Sequence, residues 1–250
     1  MTAPAPDPPM TLVVVIPTYN ERENIDQQVC EVLALDPPPQ VLIVDDASPD
    51  GTGDIADRLA AEHPGRVHVL HRAGKEGLGR AYVDGFRRAL ELGTTHIAQM
   101  DADLSHSAAD LQKMIDVARN TRAELVLGSR YIPGGKTVGW PWPRKLISRL
   151  GGAYAGFVVG VPVRDFTGGF KLWRRETLED IEVETVRADG YGFQIETTYR
   201  ALQLGKTWRQ VPITFHDRVA GASKLSRSVV FEAAVMVWQL RIRNILGKRW

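Results

Sequence analysis

Cysteine is almost missing from this chain. Cys30 stands alone among 250 residues, which excludes an internal disulfide and a thiolate metal cluster. It falls in a helical pattern with Ile25, Val29, Val32 and Leu33, so the spacing predicts a buried, inert thiol. Long apolar runs are missing too. No stretch of about 18 charge-free apolar residues occurs, so no segment reads as a membrane-spanning helix. The opening MTAPAPDPPM has neither the basic start nor the apolar middle of a signal peptide, and its proline and alanine predict a disordered arm over residues 1–10. These absences lead us to expect a chain kept in the cytosol or at the cytosolic face of a membrane. Nor does one sign of charge dominate. With 31 Lys and Arg against 30 Asp and Glu, the net charge is +1, which excludes a polycation built for nucleic acid.

What is present is ordinary globular material, 44% hydrophobic and 24% charged, enough for one full core. Short β-branched runs at Leu12–Ile16, Val41–Val44, Val67–Leu70, His96–Met100 and Leu125–Leu127 predict buried strands. Helical patterns alternate with them, from after Pro17 to Leu35 and at Asp54–Glu62, Gly79–Leu92 and Ala109–Arg119. The alternation predicts an α/β fold with a mostly parallel sheet covered on both faces. Beyond Arg130 the texture changes. Gly134–Pro143 reads as a loop, Arg144–Val161 as a small-residue helix and Phe166–Leu172 as a loop entering a strand. Gly190–Leu204 reads as a loop and then a helix, a strand follows at Trp208–His216, and a last helix covers Val229–Leu246. The expected organisation is therefore a disordered arm (1–10), one folded domain (11–228) and a C-terminal amphipathic helix (229–250).

In parallel sheets, ligands bind beyond the carboxyl ends of the strands. Thr18-Tyr19-Asn20-Glu21, Asp45-Asp46 and Asp101-Ala102-Asp103 all fall at such ends. Two carboxylates one residue apart after an apolar strand suit Mg²⁺ or Mn²⁺ shared with substrate phosphates, although a solvated acidic turn has the same spelling. Asp45 and Asp46 repel unless a cation or donor sits between them. One of them can accept from a nucleoside, and Asp45 or Asp50 can equally cap a helix. Gly51-Thr52-Gly53-Asp54-Ile55-Ala56 matches a dinucleotide fingerprint in letters only. Ala47–Asp50 separate it from its strand, and the next strand ends in His71-Arg72 rather than an acid, so a nicotinamide enzyme is rejected.

Basic residues gather in the second half. Lys136, Arg144, Lys145 and Arg149 fall in a segment without acids, and Arg130, Arg218 and Lys224 stand beside loops. Guanidinium pairs bidentately with phosphate oxygens, so an anionic diphosphate or lipid phosphate fits, against the plainer reading of a solvated face. No basic stripe carries interleaved aromatics, which argues against nucleic acid. Val229–Leu246 is largely apolar and ends among Arg241, Arg243, Lys248 and Arg249. It suits a helix lying in a headgroup layer, as does Leu146–Val161, with a core helix or dimer interface as the alternative.

Taken in order, the motifs carry a resemblance. Pro17-Thr18-Tyr19-Asn20-Glu21, Val44-Asp45-Asp46 with Ser48–Thr52, Gly77-Leu78-Gly79 and Met100–His106 are followed by Gly128–Tyr131, Phe166–Phe170 and Ser223-Lys224-Leu225. From about Leu12 to Leu225 the chain resembles the family-2 inverting glycosyltransferases, and among them the dolichol- or polyprenol-phosphate mannosyltransferases. The resemblance implies a GT-A fold and transfer of mannose from GDP-mannose to a polyprenyl phosphate. It implies that Pro17, Tyr19, Glu21, Val44 and Asp46 line a guanosine pocket, while Asp101, Ala102 and Asp103 hold the diphosphate and metal. Arg130, Arg218 and Lys224 would bind donor or acceptor phosphates, with Arg144 and Ser148 at the acceptor. Asp103, Arg130, Arg218 and Lys224 are thus the expected catalytic set. Ser105 stands where some relatives carry a glutamine metal ligand. Glu196 is expected to orient rather than to accept a proton. Many relatives carry membrane helices after this domain, so the resemblance implies peripheral attachment here, or anchoring by a separate membrane protein. The rivals are transfer of glucose or another sugar to the same lipid, and a non-catalytic nucleotide-sugar-binding module.

Overall fold

The computed structural model describes residues 9–217 and 235–242. Seven strands form one mixed sheet in the order β3-β2-β1-β4-β7-β5-β8. They are β1 (Leu12–Thr18), β2 (Gln40–Asp45), β3 (Val67–His71), β4 (His96–Gln99), β5 (Leu125–Ser129), β7 (Lys171–Arg174) and β8 (Trp208–Pro212). Only β7 is antiparallel to its neighbours, β4 and β5; the other pairs are parallel. The helices are α1 (Ile25–Leu33), α2 (Thr52–Glu62), α3 (Leu78–Glu91), α4 (Ala108–Thr121), α5 (Trp142–Val159), α6 (Arg175–Asp180) and α7 (Gly190–Gln203). Residues 235–242 are helical as well.

Period-two alternation decides which side chain feeds which layer. Val13, Val15, Leu42 and Val44 share a core with α3, α5 and α7. Leu12, Val14, Ile16, Val41 and Ile43 share the other with α1, α2 and α4. Both faces are dry, which is why these strands read as continuous apolar runs. Large side chains such as Phe86 contribute about 1.5–3 kcal/mol each through burial. Where α3 crosses β1 there is no room for a side chain. A Cβ on Gly85 would lie 2.5 Å from Val15 Cγ1.

Three sequence expectations need correction. Cys30 is exposed, not buried. The buried stripe of α1 is Ile25, Gln28, Val29 and Val32, and Cys30 follows Val29, about 100° further round the helix. The Gly134–Pro143 loop contains a short strand, β6 (Lys136–Val138), paired with β9 (Thr214–His216). The single strand expected over Trp208–His216 is divided: β8 pairs with β5 as far as Pro212, the Ile213 N–H still reaches the Ser129 carbonyl at 3.1 Å, and β9 then leaves the main sheet to pair with β6. The C-terminal helix shows two faces over 235–242. Val237 and Leu240 are buried in the core, while Val235, Trp238 and Ile242 are exposed.

Candidate active site

The parallel strands β1, β2, β4 and β5 end along one edge of the sheet. β7 runs the other way, so its beginning, with the Thr167–Phe170 loop before it, reaches that same edge. A cleft of about 410 Å³ lies there, lined among others by Pro17, Tyr19, Glu21, Asp46, Asp101, Ala102, Asp103, Arg130 and Arg144. Of the expected site residues within the described part of the chain, these nine meet around one space.

At one end, two loops brace each other. The Glu21 N–H donates to Thr52 Oγ1 at 3.0 Å, and that hydroxyl donates to Asp50 Oδ1 at 2.6 Å. Asp45 is spent on the turn. It accepts from Ser48 Oγ at 2.6 Å and Thr18 Oγ1 at 3.3 Å. Asp46 faces the cleft and is held by Arg72, whose other nitrogens reach Asp84 at 2.8 Å and Glu76 at 2.9 Å. Burial raises the Asp46 pKa; Arg72 opposes the rise without cancelling it. Lys75 lies 3.6 Å from the centre of the Tyr19 ring. Val44 differs from expectation. Its side chain is fully buried in the core, so it does not line the cleft.

Asp101-Ala102-Asp103 forms a turn after β4, tightened by Leu104 at φ 60°. Asp101 accepts from the Tyr82 hydroxyl at 3.2 Å, and Asp103 accepts from the Ser105 N–H at 3.1 Å. The Asp101 N–H donates to His106 Nδ1 at 3.3 Å, so the neutral imidazole carries its proton on Nε2. Burial lowers the His106 pKa, with the two aspartates opposing. The residues fit a hard divalent cation. Two carboxylates one residue apart line the cleft, and Ser105 Oγ is buried without a hydrogen-bond partner. No described cluster of three His, Cys, Asp or Glu side chains could hold a metal alone, so a cation here would need oxygens from its ligand.

The basic end is more heavily paired than the sequence suggests. Arg130 is buried and lies side-on to Asp165. Burial works against its charge and Asp165 more than offsets it, so its pKa stays above the usual guanidinium value. Arg144 sits 4.0 Å from the centre of the Trp140 ring and donates to Asp217 at 2.9 Å, while its buried Nε has no partner. Ser148 is one turn along α5, beside the Tyr131 hydroxyl, and does not line the cleft. Arg218 and Lys224 lie outside the described residues.

Glu196 is held by Arg200 at 2.5 Å, and Arg200 in turn caps the Ile181 carbonyl at 2.9 Å. These contacts lie within the fold, between α7 and the segment after α6. Sequence reasoning missed Asp165, Trp140, Arg72 and Gln194. Asp165 precedes the Phe166–Phe170 motif directly, which was a usable signal; the others carry none.

The profile of the family described as Glycosyl transferase family 2 matches residues 13–182. The chain is 45% identical over 241 residues to a polyprenol monophosphomannose synthase of Mycolicibacterium smegmatis, covering 96% of this chain and 91% of that protein. It is 46% identical over 236 residues to an undecaprenyl-phosphate mannosyltransferase of Micrococcus luteus, covering 94% and 96%. Among solved structures, a Pyrobaculum calidifontis mannosyltransferase in complex with GDP-mannose and Mn²⁺ superposes with a TM-score of 0.64 at 20% identity, over 96% of this chain and 66% of that one. Glucosyl-3-phosphoglycerate synthase from Mycobacterium tuberculosis, with Mn²⁺ and UDP, gives 0.62 at 20% identity, over 96% and 81%. Strand order, cleft position and these likenesses agree: the chain is a GT-A-fold enzyme of glycosyltransferase family 2.

Proposed function

We propose that this enzyme transfers mannose from GDP-mannose to a polyprenyl phosphate, inverting the anomeric carbon and releasing GDP. The observation that carries the reading is the single cleft joining Asp46, the Asp101–Asp103 turn and the Arg130 and Arg144 guanidiniums. Relatives sharing nearly the whole chain are named for mannosyl transfer to polyprenyl phosphates, which supports the choice of sugar and acceptor.

Asp46 is an acceptor-only group suited to the adjacent N–H donors of guanine, and Arg72 keeps it in place. Asp101 and Asp103 would hold Mg²⁺ or Mn²⁺, which when bound neutralises charge on the departing diphosphate. Arg130 offers the cleft a rigid guanidinium already braced by Asp165. Arg144, stacked on Trp140 with Nε unpaired, suits the acceptor phosphate; Ser148, one turn further along α5, is proposed at the acceptor on the resemblance alone. Arg218 and Lys224 are proposed as further phosphate ligands on the resemblance alone. A phosphate monoester has its second pKa at about 6, so the acceptor arrives ionised and the site needs no strong base. The pairing of Glu196 with Arg200 agrees with that economy of groups.

The acceptor is a lipid, yet no described helix is long and apolar enough to cross a membrane. We place the enzyme at the cytosolic face, where nucleotide sugars are available; α5 supports the peripheral attachment itself. Trp142, Leu146, Leu150, Tyr154 and Phe157 form an exposed stripe at helical spacing, with Phe157 86% exposed. Lys145 and Arg149 stand among them, as a helix in an anionic headgroup layer requires. The stripe starts two residues from Trp140, at the acceptor end of the cleft.

A transfer assay tests the proposal. Purified protein, polyprenyl phosphate and a panel of radiolabelled nucleotide sugars should give lipid-linked label from GDP-mannose, dependent on a divalent cation. Label from another nucleotide sugar alone, or binding of GDP-mannose without transfer, would overturn it.

A further inference from the structure

Trp173 sets the direction of a buried hydrogen-bond chain that ends at the cleft. Its indole Nε1 donates to Gln99 Oε1 at 2.9 Å, and Gln99 Nε2 donates to Gln194 Oε1 at 2.7 Å. An amide can be turned end for end, but an indole has one N–H and no acceptor. The atom of Gln99 facing Trp173 must therefore be oxygen. Its NH₂ then faces Gln194, and the Gln194 atom receiving it must also be oxygen. Gln194 Nε2, with both N–H groups, is left as the terminus.

That terminus is well placed. Gln194 is 3% exposed and lines the cleft from the start of the second turn of α7. No described residue accepts a hydrogen bond from Nε2. A Cβ built on Gly169 would lie 3.4 Å from Nε2 and 3.8 Å from Asp101 Oδ1, so the amide and Asp101 border the same gap. The backbone is pinned as well. The Gln194 carbonyl accepts from Lys171 Nζ at 2.7 Å and from Thr198 Oγ1 at 2.9 Å.

We infer that Gln194 Nε2 is a preset donor to a hydroxyl of the sugar carried by the nucleotide, with Gln99 and Trp173 as its positioning residues. The inference rests on reading the cleft as a nucleotide-sugar site. Where Asp101 adjoins the diphosphate, the next group along the donor is the sugar. A neutral donor suits a hydroxyl, whereas the phosphates have guanidiniums. Buried N–H groups left without an acceptor are costly, so this amide discriminates against a ligand lacking the matching oxygen. An amide cannot take up a proton, so the role is recognition and orientation.

The test compares affinities for the sugar nucleotide and the bare nucleotide, by calorimetry with Mn²⁺, using whichever nucleotide sugar the wild type binds. Gln194→Leu should leave affinity for the bare nucleotide within about twofold and reduce the preference for the sugar form about tenfold. Gly169→Ala, whose Cβ would meet Nε2 in the gap while leaving the Trp173–Gln99–Gln194 hydrogen bonds in place, should do the same. Trp173→Phe should reduce the preference in the wild-type background and add nothing in Gln194→Leu. Gln99→Leu reads the same link if the Trp173→Phe variant folds poorly. An unchanged preference in Gln194→Leu would overturn the inference, as would an equal cost of Trp173→Phe in both backgrounds. A rise confined to the KM for lipid phosphate would assign the amide to the acceptor and overturn it too. Because the readout is the sugar increment, a wild type that moves no mannose would sink the proposed function while leaving this result standing.

Discussion

Arg130 and Asp165 meet side-on, Nε to Oδ2 at 2.8 Å and Nη2 to Oδ1 at 2.6 Å, and the Arg130 backbone N–H adds a contact to Oδ2 at 2.9 Å. The pair ties the end of β5 to the loop before β7, with both side chains buried. Removing one partner strands the other charge. Asp165→Asn should therefore lower stability by about 3–5 kcal/mol, measured by urea unfolding. A loss under about 1 kcal/mol would mean that other groups already compensate the guanidinium.

The acidic turn gives a binding test, because Asp103 lines the cleft and an amide oxygen in its place can still accept from the Ser105 N–H. Asp103→Asn should keep the wild-type melting behaviour and lose most metal-dependent affinity for GDP-mannose. Calorimetric titration with and without Mn²⁺ measures this. A folded variant with unchanged metal dependence would remove Asp103 from the metal site.

Arg144 is held at two points, by the Trp140 ring and by Asp217. Arg144→Ala should raise the KM for polyprenyl phosphate at least tenfold, the order of magnitude expected of a charged hydrogen bond, and change the KM for GDP-mannose much less. Steady-state kinetics with each substrate varied in turn separates the two. Equal effects would make Arg144 a brace for the 138–140 loop.

Membrane attachment is best tested on α5. Leu150→Asp and Phe157→Asp alter exposed positions, so the protein should stay folded and bind GDP-mannose while losing flotation with anionic liposomes. Salt should release part of the wild-type protein, since each cation near the surface contributes about 1 kcal/mol of screened attraction. Undiminished flotation of both variants would move the anchor elsewhere. Truncation at Arg227 is a poorer test, because it removes Val237 and Leu240 from the core and the Leu240 carbonyl that accepts from the Tyr199 hydroxyl at 3.1 Å. That truncation should destabilise the protein in thermal unfolding, whatever it does to flotation.

The alternation of strands and helices, the doubly covered sheet and the acids at the strand ends were all legible in the sequence. Each depends on local pattern: a β-branched run reads as a strand whatever surrounds it, and the residue after it stands at the strand's end by covalent continuity. Tyr19, Asp46, Asp101 and Asp103 could therefore be assigned to one edge of the sheet before any contact was known. Local pattern failed where an angle of rotation mattered. Cys30 differs from Val29 by a single step around α1, and that step separates core from solvent.

Only the tertiary structure decided the partners. The antiparallel insertion of β7 between β4 and β5 brings Gly169 to the cleft, and Asp165 and Lys171 against residues that line it. Gly169 and Lys171 come from a segment that pattern alone could only call a loop entering a strand, and Asp165 directly precedes it. The same insertion sets Trp173 beside Gln99, residues 74 apart in the chain, and Gln99 lies beside Gln194, 95 apart. Hydrogen-bond direction depends on which donor meets which acceptor across those distances. An indole must donate, so its neighbour's amide turns, and the cleft-facing end of Gln194 follows. Residue type supplied the donors and acceptors; the packing of distant strands and helices determined their pairing.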